Sequence, residues 1–358
     1  MPDNEDRAGE RVWQAMPAGT REALTRDLPP ADLRTLLLAV ARARAGQVTP
    51  AEVMRRWQQD RFVRPAAADP RRVAAVEARL WQLLPDDFTG IELSPVAPLG
   101  TCTAVAPLSQ NRVVSTVRAT EVVSDSTNAL AVEAAVRRRG QPKDGYTNLA
   151  ACHRQLRAQV FGPGAAAHFR LFALVSSARD SGSCRTEASL LTRHLAYWLN
   201  VLETLLPHRQ PRIELSVFGN QVLAERLADS ILPDLGEHAP FLIQKPGRTR
   251  GRGYYTGLAL RITEELSDTE LGDGGLTSWT ARLTEDAKER CLVSCIATER
   301  LTALTAGSLP WTAWTGLLSR SSPAPGSPPT PVSPTSAARA ACGRCTRSTR
   351  SSRRSPTT

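Results

Sequence analysis

Apolar residues recur along most of this chain with the two periods that regular secondary structure imposes, 3.6 residues for a helix and two for a strand. Leu33, Leu36, Leu37 and Val40 share one face at helical spacing, and Thr49-Pro50-Ala51-Glu52 has the form of a capping box with proline at the first helical position. Residues 1–68 therefore read as a small helical extension. Another helix starts at Asp69-Pro70, where Val73, Val76, Leu80, Leu83 and Leu84 follow at three- and four-residue intervals as far as Pro85. Residues 90–94 then alternate as a strand.

The same mixture continues: a helix over 187–206, a strand over 212–217, then a helix with Leu223, Leu227 and Ile231 on one face. Strands interspersed with helices of this length predict a mixed α/β or α+β domain. From about Ser319 the pattern stops. The chain becomes serine, proline, threonine, alanine and arginine with almost no large apolar residue, so it cannot bury enough surface to offset its ordering entropy, and 305–358 is expected to be a disordered basic tail.

Composition changes the picture in three places. The net charge of +10 suggests a nucleic-acid partner, but the last 39 residues hold seven arginines and no acid, and without them the charge is +3. No apolar run approaches the roughly 18 residues of a membrane span, and the start MPDNEDRAGE is acidic, so the expected setting is the cytoplasm. Seven scattered cysteines do not make a disulfide framework in a chain of this size and are expected to be reduced thiols. Cys342-Gly343-Arg344-Cys345 has half the spacing of a zinc site and no second pair, so no metal site is predicted.

Candidate chemistry concentrates in a few strings. Arg250-Gly251-Arg252-Gly253-Tyr254-Tyr255-Thr256-Gly257 combines a guanidinium on a glycine-rich turn, suited to forked hydrogen bonds with a carboxylate or phosphate, with two phenols that offer apolar walls and polar tips. Opening the apolar run 257–260, the tyrosines equally suit a strand packed in a core. Upstream, Leu156-Arg157-Ala158-Gln159 precedes a loop and the string His168-Phe169-Arg170-Leu171-Phe172. Downstream, Ser294-Cys295-Ile296-Ala297-Thr298-Glu299-Arg300 ends an apolar strand in a charged helix start.

In this order the strings resemble the histidyl branch of the class II aminoacyl-tRNA synthetases. The 250–257 string resembles the histidyl signature RGLDYYTG at six of eight positions, the helix and strand ending at Ser94-Pro95 resemble motif 1, and 156–172 and 294–300 resemble motifs 2 and 3. The resemblance covers about Asp69 to Leu304 and implies an α+β core, an antiparallel sheet flanked by helices, assembled as a homodimer. It further implies ATP and Mg2+ as cofactors, an amino acid as substrate, and tRNA or another carrier as acceptor. By the same resemblance Arg157 holds the α-phosphate with Gln159 in the place of the motif 2 glutamate, Phe172 stacks on adenine, and Arg300 grips the γ-phosphate. Arg250 takes part in amino-acid activation, and Tyr254 and Tyr255 shape the amino-acid pocket. Val123-Ser124-Asp125-Ser126-Thr127 is similar to the segment whose acid and threonine bind the α-amino group, which assigns that role to Asp125 and Thr127; an exposed turn aspartate is the alternative.

The chain also departs from the pattern. Leu174 and Ala178 stand where histidyl enzymes carry a glutamine and a glutamate facing the substrate, Cys295 and Ala297 stand where motif 3 prefers glycine, and the low-complexity tail follows motif 3 in place of an anticodon-binding domain. The expected function is ATP-dependent formation of an aminoacyl-adenylate. A non-catalytic paralogue acting as a regulatory or binding subunit is the first alternative and an RNA-binding protein the second.

Overall fold

The structure is a computed structural model, which describes residues 4–106, 108–159, 166–236, 241–246, 251, 253–266 and 269–305. Arg250 and the predicted basic tail beyond Thr305 lie outside the described residues.

Ten strands occur in chain order among them: β1 Thr89–Gly90, β2 Val96–Pro98, β3 Thr120–Val122, β4 Tyr146–Leu156, β5 His168–Arg179, β6 Pro211–Val217, β7 Leu242–Gln244, β8 Leu258–Glu264, β9 Thr269–Thr277 and β10 Glu289–Ala297. Eight form one sheet in the order β1-β4-β5-β10-β9-β8-β6-β7, and β2 and β3 form a small second sheet. The large sheet is antiparallel through its centre, with parallel pairs only at its two edges, β1 with β4 and β6 with β7. This is the α+β class expected, with a mixed rather than purely antiparallel sheet.

Alternation along the strands sorts the core into two layers. On one face Phe172, Leu174, Leu260, Ile262, Leu292 and Ile296 pack against Leu190, Leu191, Leu195, Trp198 and Leu202 of the helix Arg185–Leu205. On the other, Leu171, Ala173, Val175 and Val293 pack against Leu130, Ala131 and Ala134 of the helix Ser126–Arg139. Burying each such leucine contributes ~1.5–3 kcal/mol. Within the first layer His194 is fully buried, its Nδ1 2.7 Å from Ser294 Oγ and its Nε2 3.0 Å from Ser176 Oγ, while Trp198 Nε1 donates to Ser294 Oγ at 2.7 Å. In the second layer Arg138 is buried and forms a two-pronged pair with Glu289, at 3.0 Å from Nε and 2.9 Å from NH2.

The helix starting at Asp69-Pro70 spans Pro70–Gln82; Asp69 accepts from Arg71 N at 3.0 Å, and Val73, Val76 and Leu80 are buried. The strand expected over 90–94 is shorter. Its sheet pairing ends just after Gly90, where Ile91 N donates to Ala150 O at 2.7 Å. Ser94 Oγ then accepts from Val96 N at 3.3 Å and Pro95 has no N–H to give, so the chain turns away into β2.

The N-terminal residues form helices Asn4–Gln14, Pro30–Ala45 and Pro50–Gln59, and Thr49 Oγ1 accepts from Glu52 N at 3.3 Å as the capping pattern predicts. Leu36, Leu37 and Val40 do share a face, but that face is exposed rather than buried. The segment following these helices grips the core. Arg61 NH1 donates to Gln159 O at 2.9 Å and its NH2 to Ala158 O, and Arg64 O lies 2.7 Å from His168 Nε2. Both ends of the β4–β5 connection are thereby tied to residues 61–64.

Candidate functional site

The helix Ser126–Arg139 begins at Asp125, whose Oδ1 accepts from Thr127 N at 3.0 Å and from Thr127 Oγ1 at 2.7 Å. The cap is stabilising where it stands because a carboxylate satisfies free N–H groups at the positive end of the helix. Its second oxygen, Oδ2, is left for other partners. Arg157, the first residue beyond β4, approaches it at 3.3 Å through NH2 and donates from Nε to Ser124 O at 2.8 Å. Tyr254 donates its hydroxyl to the same Oδ2 at 3.4 Å. Asp125 is thus a shared hub of the site and not an exposed turn residue.

Glycines bring the two tyrosines onto the sheet. Gly251, at φ +88°, turns the chain so that its carbonyl accepts from Tyr254 N at 3.1 Å and Tyr255 N at 2.9 Å. A Cβ on Gly275 of β9 would lie 2.7 Å from the Tyr255 ring, so the phenol sits there because that position is bare. Tyr254 packs edge-on against Tyr255 at 4.9 Å and Trp279 at 5.3 Å between ring centroids.

Together these residues enclose a cavity of about 340 Å3, lined by Cys102, Leu108, Arg112, Ser124, Asp125, Arg157, Gln159, Gly251, Tyr254, Tyr255 and Asp273. Its size falls within the usual range for small-molecule sites. Burial and the nearby Asp125 and Asp273 charges hold both tyrosine pKa values well above the ordinary phenol range, so the hydroxyls are donors. Burial opposes the Arg157 charge, but Asp125 first, then Tyr254, Cys295 and Asp273, outweigh it and raise the guanidinium pKa. Burial likewise pushes Cys295 far up, with Asp273 adding to the effect, so it is a thiol, its Sγ 3.6 Å from Asp273 Oδ1.

Of the residues singled out in the sequence, Asp125, Arg157, Gln159, Tyr254 and Tyr255 line this one cavity. Thr127 is buried behind it and positions Asp125. Arg300 does not line it. Its NH1 donates to Glu270 O at 2.7 Å, three residues from Asp273 along β9.

Phe172 is a correction. It is fully buried on the opposite face of the sheet, 4.7 Å from the Trp81 ring and 5.9 Å from Tyr197, and offers no surface to a nucleotide. The aromatic residue on the site face of β5 is Phe169, whose ring lies 5.1 Å from the Arg157 guanidinium. Leu174 and Ala178 are corrected with it. Both belong to the Phe172 layer, so their lack of polarity does not bear on the cavity, whose polar and charged groups come from other elements, Arg112, Asp125, Arg157, Tyr254, Tyr255 and Asp273 among them. Cys295, in a glycine position of motif 3, does place its sulfur against the cavity floor at Asp273.

Asp273 was not singled out in the sequence. Its signal was available: an acid set between glycines, Gly272-Asp273-Gly274-Gly275, where a strand carries no bulky side chain of its own. Its pKa is raised by burial, then by Asp125 and Glu270, against Arg157 and a hydrogen bond with Tyr255.

No family model matches the sequence, and no curated protein matches it. Solved structures do. Apo histidyl-tRNA synthetase from S. aureus superposes with a TM-score of 0.53 at 15% identity, over 67% of this chain and 67% of that one. A histidine–tRNA ligase subunit from Alicyclobacillus acidocaldarius gives 0.50 at 14% identity, over 68% and 96%. The core has the class II aminoacyl-tRNA synthetase fold. A structure described as the RNA binding domain of threonyl-tRNA synthetase from Cryptosporidium parvum gives 0.51 at 10% identity, over 67% and 65%. At these identities the likeness is one of fold, and the cavity at Arg157 stands on its own geometry.

Proposed function

We propose that this core activates an amino acid with ATP, forming an aminoacyl-adenylate and releasing pyrophosphate. The observation that carries this reading is the position of Arg157 inside a small-molecule cavity, bound to Asp125 and Ser124 and walled by two protonated tyrosines. In the reaction a carboxylate oxygen attacks the α-phosphorus, the new O–P bond forms as the bond to the pyrophosphate oxygen breaks, and negative charge grows on the phosphoryl oxygens. Arg157 is placed to stabilise that charge and Asp125 to take the substrate ammonium. Tyr254 and Tyr255 supply hydroxyl donors and exclude water.

Mg2+ would arrive with the ATP phosphates, for which one or two carboxylates suffice; the described residues contain no preformed group of three or more ligands. Arg250, as the second activating arginine, the homodimer, a tRNA or carrier acceptor and a cytoplasmic setting belong to the same reading by resemblance. No helix among the described residues is long and apolar enough to cross a membrane.

The test is amino-acid-dependent ATP–pyrophosphate exchange over all twenty amino acids, with Arg157→Ala as control. Exchange with one amino acid, lost in the control, supports activation. No exchange together with no ATP binding would replace it with a non-catalytic binding subunit.

A further inference from the structure

The amino-acid-binding reading leaves two charged groups of the cavity, Arg112 and Asp273, without a task. An amino acid seated for activation brings an ammonium, matched by Asp125, and a carboxylate that reacts beside Arg157. Asp273 is a second carboxylate in the same cavity, on the central strand β9. The flanking glycines let neighbouring strands and the Tyr255 ring close over the backbone around it, so its carboxylate is directed by the sheet and not by a mobile loop.

The contacts of Asp273 are weak for an interior anion. They are the Cys295 thiol at 3.6 Å and Tyr255. Its cross-strand neighbour Arg261 turns to Glu270, at 2.9 Å, and to Glu214, at 3.6 Å. Among the described residues no guanidinium or ammonium forms an ion pair with Asp273. The nearby Asp125 charge disfavours the Asp273 anion, and Arg157, already held by Asp125 and Ser124, offsets this only in part, so a bound cation would stabilise it further. The cavity that Asp273 and Asp125 share also has Tyr254, Tyr255 and Leu108 in its lining, apolar surface suited to a short methylene chain.

We propose that the cavity takes an amino acid whose side chain ends in a cationic nitrogen, an amine or a guanidine, and that Asp273 selects it. The proposal rests on the amino-acid-binding reading, and it departs from a pocket for neutral side chains. Removing a buried polar group's partner is what gives such a site its discrimination, so neutral isosteres should bind at least about tenfold more weakly.

The experiment is calorimetric titration of the full chain, without ATP, with L-lysine, L-ornithine and L-arginine against L-norleucine and L-glutamine, repeated on Asp273→Asn and Asp273→Glu. The expected result is a preference of about tenfold or more for the basic set, erased in Asp273→Asn through weaker binding of the basic amino acids, and kept in Asp273→Glu. Equal or tighter binding of a neutral amino acid, a preference that survives Asp273→Asn, or no binding of any of the five overturns it. Pyrophosphate exchange over the same panel separates the two readings: exchange with a neutral amino acid alone keeps activation and removes the role of Asp273, whereas selective binding of a basic one without exchange removes activation and keeps that role.

Discussion

Arg157 NH2 lies 3.3 Å from Asp125 Oδ2, so the arginine proposed to bind phosphate and the aspartate proposed to bind the ammonium hold each other before any ligand arrives. The pair is partly open to solvent, with the Arg157 side chain 30% exposed, which leaves it free to exchange partners. A substrate that brings both a cation and an anion replaces one internal pair with two external ones. Arg157→Ala should therefore lower pyrophosphate exchange by about 10²- to 10³-fold, and Arg157→Lys should not restore it, because a lysine cannot hold Ser124 O and a phosphate oxygen in one planar fork. Steady-state kinetics on the two variants decides this; full activity in the lysine variant would remove Arg157 from the mechanism.

Two phenylalanines three residues apart on β5 should behave oppositely. Phe172→Ala empties a site packed by Trp81, Tyr197 and Trp198 and is expected to cost about 3–5 kcal/mol in urea unfolding. Phe169→Ala, on the site face beside Arg157, should cost less stability and weaken ATP binding. A reversal of the two results would place the nucleotide on the other side of the sheet.

The buried His194 makes stability depend on pH. Burial, with a smaller contribution from Arg193, pushes its pKa down to about 3, against about 6.5 in the unfolded chain. As pH falls below about 6.5 the unfolded state takes up a proton that the folded state refuses, so stability present above that pH is lost at up to about 1.4 kcal/mol per unit until pH approaches 3. Chemical denaturation from pH 7 to 4 measures the slope, and His194→Gln should flatten it. An unchanged slope would assign the acid lability to other groups.

Glu289→Gln should be strongly destabilising, by about 3–5 kcal/mol, since it leaves the Arg138 guanidinium buried and uncompensated. Arg138→Met combined with Glu289→Leu should recover much of the loss, which equilibrium unfolding of the single and double variants would show.

The helices at Pro70 and Arg185, the strand at Pro211 and the sequence strings around Arg157 and Tyr254 were legible because each carries its own local signal: a cap, a period or a motif. What was not legible is which face of β5 looks toward the cavity. Counting from a motif placed Phe172, Leu174 and Ala178 on the site side; strand register decides otherwise, and a shift of one residue exchanges every side chain between the two faces. Asp273 escaped for a related reason. It belongs to no contiguous motif and shares a cavity with Asp125 and Arg157 across the sheet, β9 lying three strands from β4, whose end carries Arg157.

The grip of Arg61 on the carbonyls of Ala158 and Gln159 bears on how the protein can be trimmed and transplanted. An expression boundary drawn at Asp69, after the extension read over 1–68, would strip two acceptors next to Arg157 of their donor and release the far end of the hairpin at His168 as well. A minimal core for biochemical work should accordingly start upstream of Asp60, since residues 61–64, which look like part of a dispensable leader, are the ones that brace the neighbours of Arg157.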